Sequence, residues 1–296
     1  MTVGFADRDR GAVPTGASAA TPRLLPEVQA LRAVAVMLVI LYHLWPGVVP
    51  AGYLGVDVFF VISGFLITGQ IVRDLDRGRF GLGRFYLRRA RRLLPAAMTV
   101  LAVIAVTTVL VVPYSRWVET ARQILGSTFY VQNWVLVSQK TDYLTPVVRP
   151  TPVQHFWSLS AEEQCLWLLP LLLLFARLWL AAGVAGTALL LVPTVVSQSP
   201  DLIYYGTVNR FGEFAVGAAF ALWLDSRSGA IPDRMLGPLR VIGSVSLATI
   251  VAVMVLIDRE SEWLYRGGTA LMALPVVGII AASLTGSGVV VRMLAI

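Results

Sequence analysis

Residues 31–72 read LRAVAVMLVILYHLWPGVVPAGYLGVDVFFVISGFLITGQIV, two apolar blocks in immediate succession. The blocks, about 31–49 and about 53–72, are each close to the ~20 residues that an α-helix needs to cross a hydrocarbon core of about 30 Å. Comparable blocks recur at about 93–112, 159–175, 178–196, 211–224, 241–257 and 267–284. The expected fold is therefore all-α, a polytopic transmembrane helical bundle of about 8–9 spans, the ninth started or flanked by Arg292. Between 114 and 138, Arg116, Glu119, Arg122, Gln123, Gln132 and Asn133 interrupt any apolar run, which predicts one interfacial or re-entrant helix there.

Composition points to the same solvent. The chain is 57% hydrophobic and 14% charged, with a mean hydropathy of +0.74, too little polar surface to coat a soluble globule of 296 residues. Residues 1–25 are rich in Gly, Ala, Ser, Thr and Pro and lack an apolar core, so they read as a disordered cytoplasmic tail and leave 26–296 as the membrane domain. They do not have the pattern of a signal peptide. The net charge is +7, and eight arginines fall between Arg73 and Arg92. Wedged between two apolar spans, that block reads as a cytoplasmic loop obeying the positive-inside bias and touching anionic head groups, not as a nucleic-acid site.

The charge bias also orients the chain: amino terminus in the cytoplasm, His43 toward the outer face, the whole in the cell (inner) membrane. With 114–138 not crossing, Arg227, Arg234 and Arg240 fall inside and the acidic stretch 258–262 outside. The single cysteine, Cys165, excludes an internal disulfide and behaves as a small hydrophobe in its apolar run. No CxxC, HExxH or Gly-rich P-loop is present, so neither a metal site nor nucleotide hydrolysis has support.

Ionisable residues inside spans cost at least about 2.5 to 3.5 kcal/mol each at a helix centre, which makes them functional suspects. Arg32 and His43 are 11 residues apart, about 1100° of helix rotation, so they share one face with about 16 Å between them. Arg32 is either a snorkelling anchor or a cation for phosphates, and His43 either a packed polar residue or a general base. Asp57, in the first turn of the second span, either orients the His43 imidazole or serves the helix dipole. In HFWSLSAEEQ (155–164), Ser160 and Glu163 have capping-box spacing, while Glu162 has no such explanation and, with His155 seven residues earlier, could meet a sugar hydroxyl or His43. Arg210 and Glu213, three apart, could pair with each other.

Together RAVAVMLVILYH, GYLGVDVFFVISGFLIT, FYLRRARRLLPA (85–96), HFWSLSAEEQ and YYGTVNRFGEFAVGAAFA (204–221) resemble the acyltransferase-3 family of bacterial integral-membrane O-acyltransferases, over about 26–296. The resemblance implies that Arg32 and His43 form the family's Arg-x10-His motif, concerned with acyl-donor use and catalysis. It implies that Arg88, Arg89, Arg91 and Arg92 form its basic donor-binding segment. The expected reaction is transfer of an acyl group, acetyl by preference, from acyl-coenzyme A as co-substrate to a hydroxyl of a surface carbohydrate or glycolipid, with no tightly bound cofactor. His43, Asp57 and Glu162 are then the catalytic set, and His155, Arg210 and Glu213 the acceptor side. Family members continue past VVRMLAI with further helices, so the chain is expected to lack the last of them. The competing class is a transporter or flippase of a lipid-linked sugar, for which matched, Gly/Pro-broken halves are the usual mark; none is seen.

Overall fold

The computed structural model describes residues 26–139, 151–175, 200–227, 231–257, 261 and 268–294. The expected tail, the expected span at 178–196 and most of the acidic stretch lie outside those residues. Among the described residues every regular element is helical. Helix α1 (Pro26–Leu44) is followed by a 3₁₀ turn (Gly52–Leu54), α2 (Gly55–Asp76) and α3 (Leu82–Val111). Then come α4 (Trp117–Thr128), α5 (Gln132–Ser138), α6 (Phe156–Phe175), α7 (Pro200–Tyr205), α8 (Thr207–Asp225) and α9 (Asp233–Leu256). Two short helices, α10 (Ala273–Ser283) and α11 (Val289–Leu294), close the described part.

Among the described residues, four stretches are long and apolar enough to cross a membrane: Pro26–Leu44, Gly52–Asp76, Leu82–Val111 and Asp233–Leu256. Helix α8 has the length but carries Asn209, Arg210 and Glu213 near its start, and the last two are buried inside the bundle. Helix α3 begins at Leu82, not near 93. Arg, Leu and Ala are strong helix formers, so the basic segment expected as a loop is instead the first turns of α3. Residues 117–138 form two helices, about 18 Å and about 10 Å long, each too short for a crossing. The chain reverses between them at Tyr130, a non-glycine residue at φ +55°.

Small residues set how closely the helices pack. Asp57 meets Arg210, the Val61 carbonyl faces Gly217, and Gly64 faces the Phe214 carbonyl, so α2 and α8 run parallel in close contact. A Cβ at Gly64 or Gly217 would lie 2.0 Å from the opposing carbonyl oxygen. Helices α9 and α10 are antiparallel, with Gly243 against Ala282 and Gly278 against Ser246. Gly52 sits against the Leu38 carbonyl and Gly55 against that of Ala35, so α2 runs antiparallel to α1 and starts well down its side. His43 consequently stands about 12 Å beyond the start of α2. The turn between the two helices is tied to α9 by a hydrogen bond from the Ala51 amide to the Met254 carbonyl (3.2 Å).

Backbone carbonyls cannot move aside as a flexible side chain can. Gly64→Ala and Gly217→Ala are each expected to cost about 1–3 kcal/mol through overpacking. Gly83→Ala, where a Cβ meets nothing within 4 Å, serves as the control and should leave thermal unfolding in detergent unchanged.

Candidate functional site

Because α1 is one unbroken helix, Arg32 and His43 stay on one face, about 16 Å apart. Between them lies a groove of about 270 Å³, walled by Val36, Val39 and Ile40 of α1, Phe59 and Phe60 of α2, and Ser158, Leu159 and Glu162 of α6. Its walls are largely apolar, with Glu162 the one charged side chain. At the lower end the Arg32 guanidinium lies 5.9 Å from the Phe59 ring centre and donates to Gln29 Oε1 (3.3 Å), while its buried Nε has no partner among the described residues.

At the upper end the His43 Nδ1 is 2.7 Å from the Val39 carbonyl oxygen. A carbonyl only accepts, so Nδ1 carries a proton, and in the neutral ring the lone pair is on Nε2. The ring also meets Tyr42 edge-on (5.1 Å) and His155 edge-on (4.7 Å). His155 thus joins His43 at the groove mouth from the turn that precedes α6. Desolvation by the surrounding protein, and then the nearby His43, push the His155 imidazole below the usual histidine range although the residue remains exposed.

Asp57 does not reach this imidazole. Gly55 is level with Ala35, which sets Asp57 about 15 Å below His43, and its carboxylate is held by Arg210 (2.5 Å). Arg210 also donates to Glu213 (2.7 Å), as the three-residue spacing suggested, and through Nε to the Tyr204 carbonyl (2.8 Å). The guanidinium is boxed by Tyr204, Trp157 and Phe60 at 5.2 to 6.0 Å, and all three charged groups are 1–2% exposed. Arg210 and Glu213 therefore sit behind the groove and do not line its mouth.

Glu162 is drawn away from His43 as well. Arg89 donates to Glu162 (3.1 Å) and to Glu163 (2.6 Å), so its guanidinium is engaged by two carboxylates of α6, one of which, Glu162, lines the groove. Arg88 pairs with Asp74 at the surface (3.3 Å), an exposed contact worth little, and Arg91 and Arg92 are exposed. The capping box does not form. Helix α6 begins at Phe156, so Ser160 lies inside it, donating to the Phe156 carbonyl (2.9 Å) and accepting the Gln132 amide (3.3 Å).

Sequence reasoning missed a buried amide network. Gln164 donates to the Tyr130 carbonyl (2.7 Å) and to Asn133 Oδ1 (3.0 Å), and its Oε1 accepts from Trp134 (3.0 Å) and Thr207. Gln132 donates to Gln123 (2.9 Å), whose Oε1 also accepts from Thr151. These bonds pin the α4–α5 turn, including the unusual φ of Tyr130, to α6 and α8. The available signal was the concentration of amides at 123–133, which read only as an interruption of apolar sequence.

A helical membrane bundle with an imidazole at the mouth of an apolar groove and its charges paired behind the walls is the class that fold and site define. The acyltransferase-3 family, described as an acyltransferase domain, matches residues 25–292, and the chain belongs to it. It is 29% identical over 287 residues to O-acetyltransferase OatA of Staphylococcus aureus strain NCTC 8325, covering 93% of this chain and 47% of that protein. It is 32% identical over 274 residues (88% of this chain, 45% of the relative) to SACOL0978 of S. aureus strain COL, a provisionally named O-acetyltransferase. The chain thus spans about half the length of these curated relatives. No solved structure matches it.

Removing the guanidinium from the buried triad strands two carboxylates. Arg210→Leu is expected to destabilise the protein by about 3–5 kcal/mol, and Arg210→Leu with Asp57→Asn and Glu213→Gln to regain part of that loss, read by thermal unfolding in detergent.

Proposed function

We propose that the protein transfers an acyl group, acetyl by preference, from acyl-coenzyme A to a hydroxyl of a cell-surface carbohydrate or glycolipid. The observation that carries the reading is the groove on the Arg32–His43 face, walled on α1 by Val36, Val39 and Ile40 between the two, together with the 2.7 Å approach of His43 Nδ1 to the Val39 carbonyl, which in the neutral ring leaves the lone pair on Nε2. The names of the S. aureus relatives, both O-acetyltransferases, support the reaction type.

On this reading the donor enters from the basic end, with its phosphates near Arg32, Arg91 and Arg92 and with Arg88 exchanging Asp74 for phosphate. The pantetheine arm lies in the groove, where Val36, Val39 and Phe59 offer apolar contact and exclude water from the thioester. His43 Nε2 takes the proton of the acceptor hydroxyl, and the Val39 carbonyl holds the productive tautomer. Donor and acceptor are substrates, and no tightly bound cofactor is required. The bundle makes eight to nine crossings of the cell membrane, with the amino terminus and the basic end of α3 in the cytoplasm and His43 outside.

His43→Ala should abolish movement of label from radiolabelled acetyl-coenzyme A into glycan while the protein still inserts; undiminished acylation in that variant sinks the proposal. Arg32→Ala, and Arg91→Ala with Arg92→Ala, should raise the donor KM at least several-fold. Ile40→Trp, which fills the groove without touching a charge, should lower donor use with thermal stability retained. Titration of acylation against donor concentration in membrane vesicles separates these effects.

A further inference from the structure

We propose that His155 is a second catalytic residue, whose imidazole donates an N–H to the carbonyl oxygen of the acyl thioester as that oxygen gains charge. The inference rests on the acyl-transfer reading and assigns the role that His43 leaves unfilled.

A hydroxyl attacking a thioester needs two kinds of help. His43 Nε2 can take the proton. The carbonyl oxygen, which receives the displaced electron pair, needs a donor close to the same carbon, and removal of such a donor from an acyl-transfer site typically costs about 10²- to 10³-fold in rate. The charged group in the groove wall cannot serve, because Glu162 is a carboxylate engaged by Arg89. Ser158 directs its hydroxyl to the His155 carbonyl (3.3 Å). His155 stands 4.7 Å from His43, ring centre to ring centre and nearly perpendicular at 82°, so the two imidazoles can address different atoms of one substrate.

The position of His155 is fixed from both sides. Gln154 donates to the Tyr205 hydroxyl (3.1 Å), and Trp157 is buried against Tyr204 and Tyr205. The backbone between them is tightened by bonds from the Phe156 amide to Val153 and from the Trp157 amide to Gln154 (3.0 and 3.1 Å). Rigid placement of this kind is what a preorganised donor requires. Desolvation and then the nearby His43 push the His155 imidazole below the usual histidine range, the direction that favours an N–H donor without a second positive charge beside the base.

The step balances as follows. The acceptor oxygen bonds to the thioester carbon, its proton passes to His43 Nε2, and the carbonyl electron pair moves onto oxygen, where the His155 N–H meets it. When the carbonyl reforms, the carbon–sulfur bond breaks and the proton on His43 passes to the sulfur, releasing the free thiol of coenzyme A and the acylated hydroxyl.

The test measures acyl transfer from acetyl-coenzyme A to glycan by membrane vesicles carrying wild-type protein, His43→Ala, His155→Leu or His155→Gln. The expected result is a kcat about 10²- to 10³-fold lower for His155→Leu with the donor KM within about threefold, and recovery of at least about tenfold in His155→Gln, whose amide restores an N–H. A kcat for His155→Leu within threefold of wild type overturns the assignment. So does a loss confined to KM, or a His155→Gln no better than His155→Leu. Inactive wild type overturns the acyl-transfer reading and this inference together, whereas active wild type with an indifferent His155 series overturns this inference alone.

Discussion

One guanidinium holds the architecture together. Arg210 is 1% exposed in the middle of a greasy bundle, a position that is costly for any unpaired charge, and it is accepted there because Asp57 reaches it from α2 and Glu213 from its own helix. The pair fixes the register of α2 against α8, and the register explains the glycines. With Asp57 opposite Arg210, Gly64 and Gly217 arrive where the two backbones touch. Phe60, Trp157 and Tyr204 then close around the cation, which draws the start of α6 and the end of α7 to the same point. Phe60 is at once a wall of the triad and a wall of the groove, so the buried ion pairs and the site share a side chain.

The groove inherits its shape from that arrangement. Helix α2 begins beside Ala35, which leaves roughly the upper half of α1 uncovered by it and brings His43 out to meet the turn before α6. Helix α6 contributes in three directions within a single turn. Glu162 faces the groove, Glu163 faces Arg89 on α3, and Gln164 grips the α4–α5 turn. Of these three consecutive polar residues in an otherwise apolar helix, the two carboxylates share Arg89 and the amide bonds the α4–α5 turn, so Glu162 faces the apolar wall with a cation beside it.

What could be read in advance was what a single helix determines. The Arg32–His43 alignment depends only on 3.6 residues per turn and on α1 being unbroken, and the three-residue spacing of Arg210 and Glu213 depends only on α8. The partner of Asp57 was not readable, because it lies 153 residues away and is chosen by how α2 and α8 pack. The partners of Arg89 were hidden for a related reason: its basic run shows a cation, and only the fold supplies Glu162 and Glu163 from 73 and 74 residues downstream. Ser160 and Glu163 had the spacing of a capping box, yet the helix started earlier at Phe156, so the pattern fell inside the helix and both side chains took long-range partners. The amides at 123 and 132 pair in space, as do those at 133 and 164, yet they stand at three separate places in the sequence.

How the imidazole is oriented follows from where the carboxylates are not. A base that depends on a carboxylate for its tautomer must bury that carboxylate beside it, at the outer end of a membrane helix where the desolvation cost recurs. Here Asp57 is about 15 Å away and Glu162 is claimed by Arg89, while the Val39 carbonyl, four residues earlier on the same helix, accepts the Nδ1 proton. A backbone acceptor adds no charge, survives any substitution at position 39 that keeps the helix, and turns with α1 if the helix shifts. The orientation of His43 is therefore a property of α1 alone, and the distant charges are left to hold the walls against which the substrates would react.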